Sequence, residues 1–311
     1  MSDRGTRILR VWLPAALLLA MVLGGCGKSG ETGETAWREA AVSESFPEPG
    51  SSVGSAETPE PTETPGPTGT PEPTPVLADV METVPAGTVV DETDVDRSTL
   101  DRYFQAYEIS DTLFERIYGD DRSYKTYCTV PREDLRYIKV LHYGYDGQIH
   151  VGELMVNALL AEDMKAIFRT LFENGYPIEK MFLVDDYGAD DDRSINDNNT
   201  SAFNFRLASN AENLSNHAAG CAIDINPKQN PYFLIQPDGS VIWENEDAEL
   251  YLDRDVPDAA ERHMITRGDL CYQLFTRYGY TWGGDWNNPV DYQHFEKVVY
   301  IARMPDTEVS E

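Results

Sequence analysis

Ser215-Asn216-His217-Ala218-Ala219-Gly220-Cys221-Ala222-Ile223-Asp224-Ile225-Asn226 predicts a turn that feeds a buried strand with a carboxylate near its centre. Side chains alternate faces along an extended chain, so Ile223 and Ile225 point into a core while Ala222, Asp224 and Asn226 share the opposite face. A carboxylate in so apolar a strand is costly to bury unless a metal, a cation or several donors compensate it. His217 precedes the strand, and Gly220 gives the chain freedom to swing the imidazole over the same face. The small Ala218, Ala219, Gly220 and Ala222 leave room there.

Working outward, apolar residues at three- and four-residue spacing (Leu160, Met164, Ile167, Phe168, Leu171, Phe172) predict a helix over about Val151–Glu173, stopped by Gly175 and Pro177. Shorter helices are expected over about Ser98–Tyr118 and Asp269–Tyr278. Strands are expected at Tyr137–Tyr143, Lys180–Val184, Ala202–Leu207, Cys221–Asn226 and Gln293–Val299. That order predicts an α+β domain with a mostly antiparallel central sheet and flanking helices. The acidic run Asp185, Asp186, Asp190, Asp191, Asp192, Asp197 lacks the EF-hand calcium-loop spacing and reads as a solvated connection.

The second informative stretch is Trp282-Gly283-Gly284-Asp285-Trp286, followed by Asp291-Tyr292-Gln293-His294-Phe295-Glu296. Asp291 and His294 are three apart, which puts them on opposite faces of a regular strand. For both to act together a turn must lie near Tyr292. Two imidazoles and one carboxylate make a three-ligand zinc set with the fourth position left for water. His217, Asp224 and His294 fit those roles. A carboxylate that is not a ligand must move the proton, and Asp291 fits that one. No Cys-x-x-Cys pair occurs, which argues against a thiolate zinc site.

Ser-x-His-x-x-Gly-x-Ala-x-Asp, then Trp-Gly-Gly-x-Trp and Asp-x-x-His-Phe-Glu, resembles the LAS-type zinc peptidases of bacterial cell walls. The resemblance runs through roughly residues 100–303. It implies a D,D-peptidase/Hedgehog-like fold, Zn2+ on His217, Asp224 and His294, and Asp291 as base. It also makes Arg206 a group that binds a substrate carbonyl or carboxylate, and places Ser215, Trp282 and Trp286 among the substrate contacts. The implied substrate is a peptidoglycan stem peptide. Family members that remove terminal D-alanine often carry Glu-x-x-His, so Asp291-x-x-His294 is more like the L-alanyl-D-glutamate endopeptidase branch. The competing reading is a wall-binding or signalling module of the same fold without catalysis. The remaining His142, His150 and His263 read as structural or exposed, and Cys221 and Cys271 as buried thiols.

The chain's first part is of another kind. A basic start (Arg4, Arg7, Arg10), an apolar run Val11–Leu23 too short to span a bilayer, and Leu23-Gly24-Gly25-Cys26 read as a signal peptide over 1–25 with a lipobox. A lipid on Cys26 would anchor the exported chain to the outer face of the cell membrane. Nine prolines lie between Pro47 and Pro75, and no Lys or Arg between Glu39 and Asp96. Such a chain cannot bury enough apolar surface to fold, so 26–96 reads as a disordered linker. As a coil of about 70 residues it reaches roughly 45 Å, and extended about 200 Å. The peptidase domain is then 97–305, with 306–311 as a tail. The net charge is −29; residues 1–25 hold a net +2, so the remainder carries −31. That surface argues against nucleic acid as a partner. A monomer is expected.

Overall fold

The computed structural model describes residues 76–300, apart from 210, 211 and 246. The predicted signal peptide, Cys26, most of the linker and the tail lie outside these residues. In chain order the elements are α1 (Leu77–Val80), β1 (Val89–Val90), β2 (Gln105–Tyr107), α2 (Asp111–Ile117), β3 (Leu135–Tyr143), β4 (Ile149–Asn157) and α3 (Ala161–Glu173). They continue with α4 (Asp191–Asn196), β5 (Ala222–Asp224), β6 (Tyr232–Ile235), β7 (Val241–Trp243), α5 (Leu270–Arg277), β8 (Thr281–Trp282), β9 (Val290–Asp291) and β10 (His294–Glu296). The fold is α+β with antiparallel sheets, as expected.

The largest sheet has the order β1-β4-β3-β2. Its centre is the β3–β4 hairpin, paired from Leu135↔Asn157 to Tyr143↔Ile149. Asp146 accepts the Gln148 N–H and Gly147 takes a positive φ, which closes the turn. On one face Met164, Ile167, Phe168, Leu171 and Phe172 of α3 pack with Ile138, Val140 and Leu154. A second cluster holds Tyr137 and Met155 with Ile117, Leu183, Phe203, Phe205 and Ala218. Two smaller sheets, β5-β10-β8 and β7-β6-β9, carry Asp224, His294 and Asp291.

Several expected boundaries move. The helix predicted from Val151 begins at Ala161, and Val151–Asn157 is strand. Val151, Leu154, Met155 and Val156 are all buried, and a run buried on both sides has no period to tell strand from helix. The helix expected over 98–118 is instead a 3-10 turn at Arg97–Tyr103, then β2, then α2 capped by the Ser110 hydroxyl. Segments 180–184 and 202–207 form only isolated bridges. The Asn199 amide replaces ladder bonds there, accepting from Phe182 N and donating to Phe182 O. The acidic run forms a 3-10 turn and α4, with most of its carboxylates engaged. Asp190 caps α4, Asp185 accepts from Ser123 N, and Asp186 pairs with Arg116. Part of the expected linker is folded: β1 pairs with β4, and Met81, Val90 and Val95 are buried. Cys221 and Cys271 are buried thiols, as read. Among the described residues no helix is long and apolar enough to cross a membrane.

Candidate metal centre

Each of the three expected ligands is delivered by a different local device. His217 lies in a 3-10 turn, Asn216–Ala219, where its own N–H donates to the capping Ser215 hydroxyl and which ends at left-handed Gly220. That glycine is needed for a second reason. A Cβ at Gly220 would stand 2.5 Å from the Asn157 backbone N, so the turn sits directly on the end of β4. Asp224 closes β5, with Ile223 and Ile225 fully buried behind it as the alternation predicted. His294 opens β10 and pairs in register with Asp224. The turn expected near Tyr292 is present: the chain bends at Tyr292–Gln293 and passes from β9 in one sheet to β10 in another. Asp291 and His294 therefore reach one cleft despite their spacing.

The three ligand atoms lie within 4.8 Å of one another, all buried. His217 Nε2 is 3.2 Å from an Asp224 carboxylate oxygen and 3.2 Å from His294 Nδ1, which is 3.1 Å from the other Asp224 oxygen. The outward nitrogens are also engaged. His217 Nδ1–H donates to the Ala202 carbonyl at 2.5 Å, and His294 Nε2–H to Glu296 at 3.0 Å. Asn216 holds Glu296 in turn, at 2.7 Å. With those protons placed outward, both lone pairs converge on the Asp224 carboxylate, which is how metal-binding imidazoles are set. Glu296 was part of the quoted motif, but nothing in the sequence assigned it this orienting role.

The electrostatics call for a cation at this point. Burial alone would lower the His294 pKa, yet the hydrogen bonds to Asp224 and Glu296 and the charges of Asp224 and Asp291 more than offset it and carry it to about 10. Burial alone would raise Asp224, but the two imidazoles hold it well below the usual carboxylate range. A buried carboxylate between two imidazoles is satisfied by a proton or a metal ion. The donor set, two nitrogens and one oxygen, fits Zn2+.

These residues open onto a cleft of about 270 Å³, together with Arg206, Glu244, Trp286, Asp291 and Gln293. Asp291 is 9% exposed and its Oδ1 has no hydrogen-bond partner. Burial raises its pKa to about 7; the His294 charge opposes this and Asp224 adds to it. Arg206 is held by Asp191 at 2.7 Å, and that charge keeps the guanidinium ionised against its burial. Ser215 lines the cleft, but its hydroxyl is occupied as the cap of the His217 turn. Trp286 is at the cleft, its ring 5.3 Å from His294. Trp282 is not: it is 4% exposed, packs on Tyr272, Tyr292 and Phe295, and donates to the Tyr292 carbonyl. Its place in β8 turns the indole inward, which corrects the expected substrate contact. His142 is buried, with Nδ1 on the Ile178 carbonyl. A larger cavity, about 610 Å³, lies between residues 82–86 and α2, but its Arg116 is already paired with Glu153 and Asp186.

Residues 209–297 match the family model described as D-alanyl-D-alanine carboxypeptidase. The match covers 89 of the 311 residues, and over this segment the chain is similar to that peptidase family. The match spans all three ligands, Asp291 and Glu296, while Arg206 lies just ahead of it. No curated protein and no solved structure matches the chain.

Proposed function

We propose that this chain is a zinc-dependent peptidase acting on peptidoglycan stem peptides. The observation that carries this reading is the buried His217–Asp224–His294 set with Asp291 beside it in one cleft. When bound, Zn2+ would supply a Lewis acid and lower the pKa of water in its open coordination position. The rest of the work falls to the chain. Asp291, its Oδ1 free of partners, accepts the proton of the attacking water and returns it to the leaving amine. Arg206 offers a guanidinium, fixed by Asp191, to the carbonyl or carboxylate of the peptide. Trp286 shields one side of the His294 imidazole from water.

The location of the activity is part of the same proposal. Lipidation at Cys26 would hold the chain on the membrane's outer face, and the proline-rich stretch would let the domain reach the wall. Labelling with a lipid precursor, lost in Cys26→Ala, would test this.

The peptidase claim is tested by digesting defined muropeptides with zinc-replete protein and reading the products by mass. Loss of a terminal D-alanine is the D-alanyl-D-alanine carboxypeptidase outcome; a cut after L-alanine is the endopeptidase outcome. No product from either the parent protein or Asp291→Ala would leave a wall-binding module as the reading.

A further inference from the structure

The cleft contains more acceptors than the reaction uses. Glu244 follows β7 and lines the cleft: among the described residues it makes no ion pair, the Arg206 charge acts on it only from a distance, and its one hydrogen bond is from the Ser209 hydroxyl at 3.0 Å. Gln293 also lines the cleft. It is 2% exposed, and its Oε1 has no partner. A buried amide carbonyl left without a donor is costly, so a donor from outside the chain is expected there. Glu244 and Gln293 Oε1 both accept, as does the unpartnered Asp291 Oδ1.

Charge leads to the same conclusion. Five carboxylates (Asp191, Asp224, Glu244, Asp291, Glu296) stand in or beside the cleft against the single guanidinium of Arg206. A divalent ion on His217, Asp224 and His294 offsets two of the remaining four, so Glu244 and Asp291 can both ionise only when a further cation docks beside them. Resting on the peptidase reading above, we infer that Glu244, with the Gln293 carbonyl, is a subsite for an ammonium group of the substrate. A primary ammonium supplies three N–H donors and one positive charge, which is what this wall lacks. Burial, then the charges of Asp291 and Asp191, raise the Glu244 pKa to about 8 against the Ser209 hydrogen bond and the Arg206 charge, and a docked ammonium would relieve that repulsion.

The ammonium of a stem peptide comes from one of two places, its α-amine or the side chain of a dibasic residue. Three pentapeptides separate them: both amines free, the α-amine acetylated, and the side-chain amine replaced by a methyl group. With the candidate scissile amides N-methylated to block cleavage, their binding to the zinc-loaded full chain is measured by calorimetry. The expected result is that one of the two changes weakens binding at least tenfold and so names the source. Glu244→Gln should bind all three within about twofold, and Glu244→Asp should retain part of the preference. Removing an uncompensated carboxyl should also leave the Glu244→Gln melting temperature equal to the parent's or above it. Equal binding of the three peptides, no binding of any, or an undiminished preference in Glu244→Gln would each overturn the subsite. Cleavage of the unmethylated peptides tests the peptidase reading separately.

Discussion

At the scale of single residues, the proposed ligands and base are distinguishable because only the ligands would hold the metal. His217→Ala removes a ligand nitrogen, so bound zinc and turnover should fall together. Asp291→Ala should keep zinc while kcat drops about 10²–10⁴-fold, the range expected for loss of a general base. Metal content by atomic absorption beside muropeptide turnover checks both; equal loss of zinc in the two variants would make Asp291 a ligand. Glu296 acts one step further out, through His294 Nε2 and Asn216. Glu296→Ala frees the imidazole to rotate, so zinc affinity should fall about 10–100-fold, as for other orienting partners, with the ligands unchanged. A competitive chelator titration would read this.

Among the elements, the close approach of the Gly283 turn to the bend between β9 and β10 constrains the site as tightly as Gly220 does the His217 turn. A Cβ at Gly283 would lie 2.5 Å from the Asp291 carbonyl oxygen, 2.9 Å from Asp291 Cβ and 3.2 Å from His294 Cβ. Backbone cannot yield as a flexible side chain does, so Gly283→Ala should cost about 1–3 kcal/mol of stability. It should lower kcat as well, because both Asp291 and His294 move; urea unfolding with parallel kinetics checks the pair. Such features also decide what was legible in the sequence. Ile223 and Ile225 around Asp224 showed the alternation of a strand, and the three-residue gap from Asp291 to His294 required a bend, so these residues could be placed at one cleft. Segment 151–157 was opaque because burial on both faces erased its period. Glu244 and Gln293 were opaque for another reason: they follow β7 and β9 and line one cleft from segments far apart in sequence, which no local spacing marks. Trp282 was misplaced because an indole on an edge strand can face core or cleft, and only the packing of Phe295 and Tyr292 selects the core.

For the whole molecule, acid tolerance and the N-terminal boundary follow from burial. His142 sits in the main sheet, 3% exposed, and burial lowers its pKa to about 4, partly offset by its bond to Ile178. Its unfolded value is near 6.5. Between those values the unfolded chain binds the proton and the folded one does not, so stability falls as pH drops from 6.5 to 4, by up to about 3 kcal/mol. Asp269, raised by burial to about 6, has the opposite slope in part of that range. The comparison must therefore be between parent and His142→Asn, whose unfolding free energy should lose its share of the acid slope. The boundary is set by residues the composition had assigned to the linker. Met81, Val90 and Val95 are 1%, 7% and 6% exposed in the main core. Val84 supplies the carbonyl that accepts from the buried Lys139 ammonium at 2.7 Å. Burial already lowers the Lys139 pKa to about 8, and removing its acceptor leaves a charge with less to hold it. Each of those three side chains contributes about 1.5–3 kcal/mol on burial. A fragment starting at Ser98 should therefore be several kcal/mol less stable than one starting at Thr74, and the loss should exceed what any surface truncation produces. Denaturant midpoints of the two fragments measure it, and equal midpoints would return residues 76–96 to the linker.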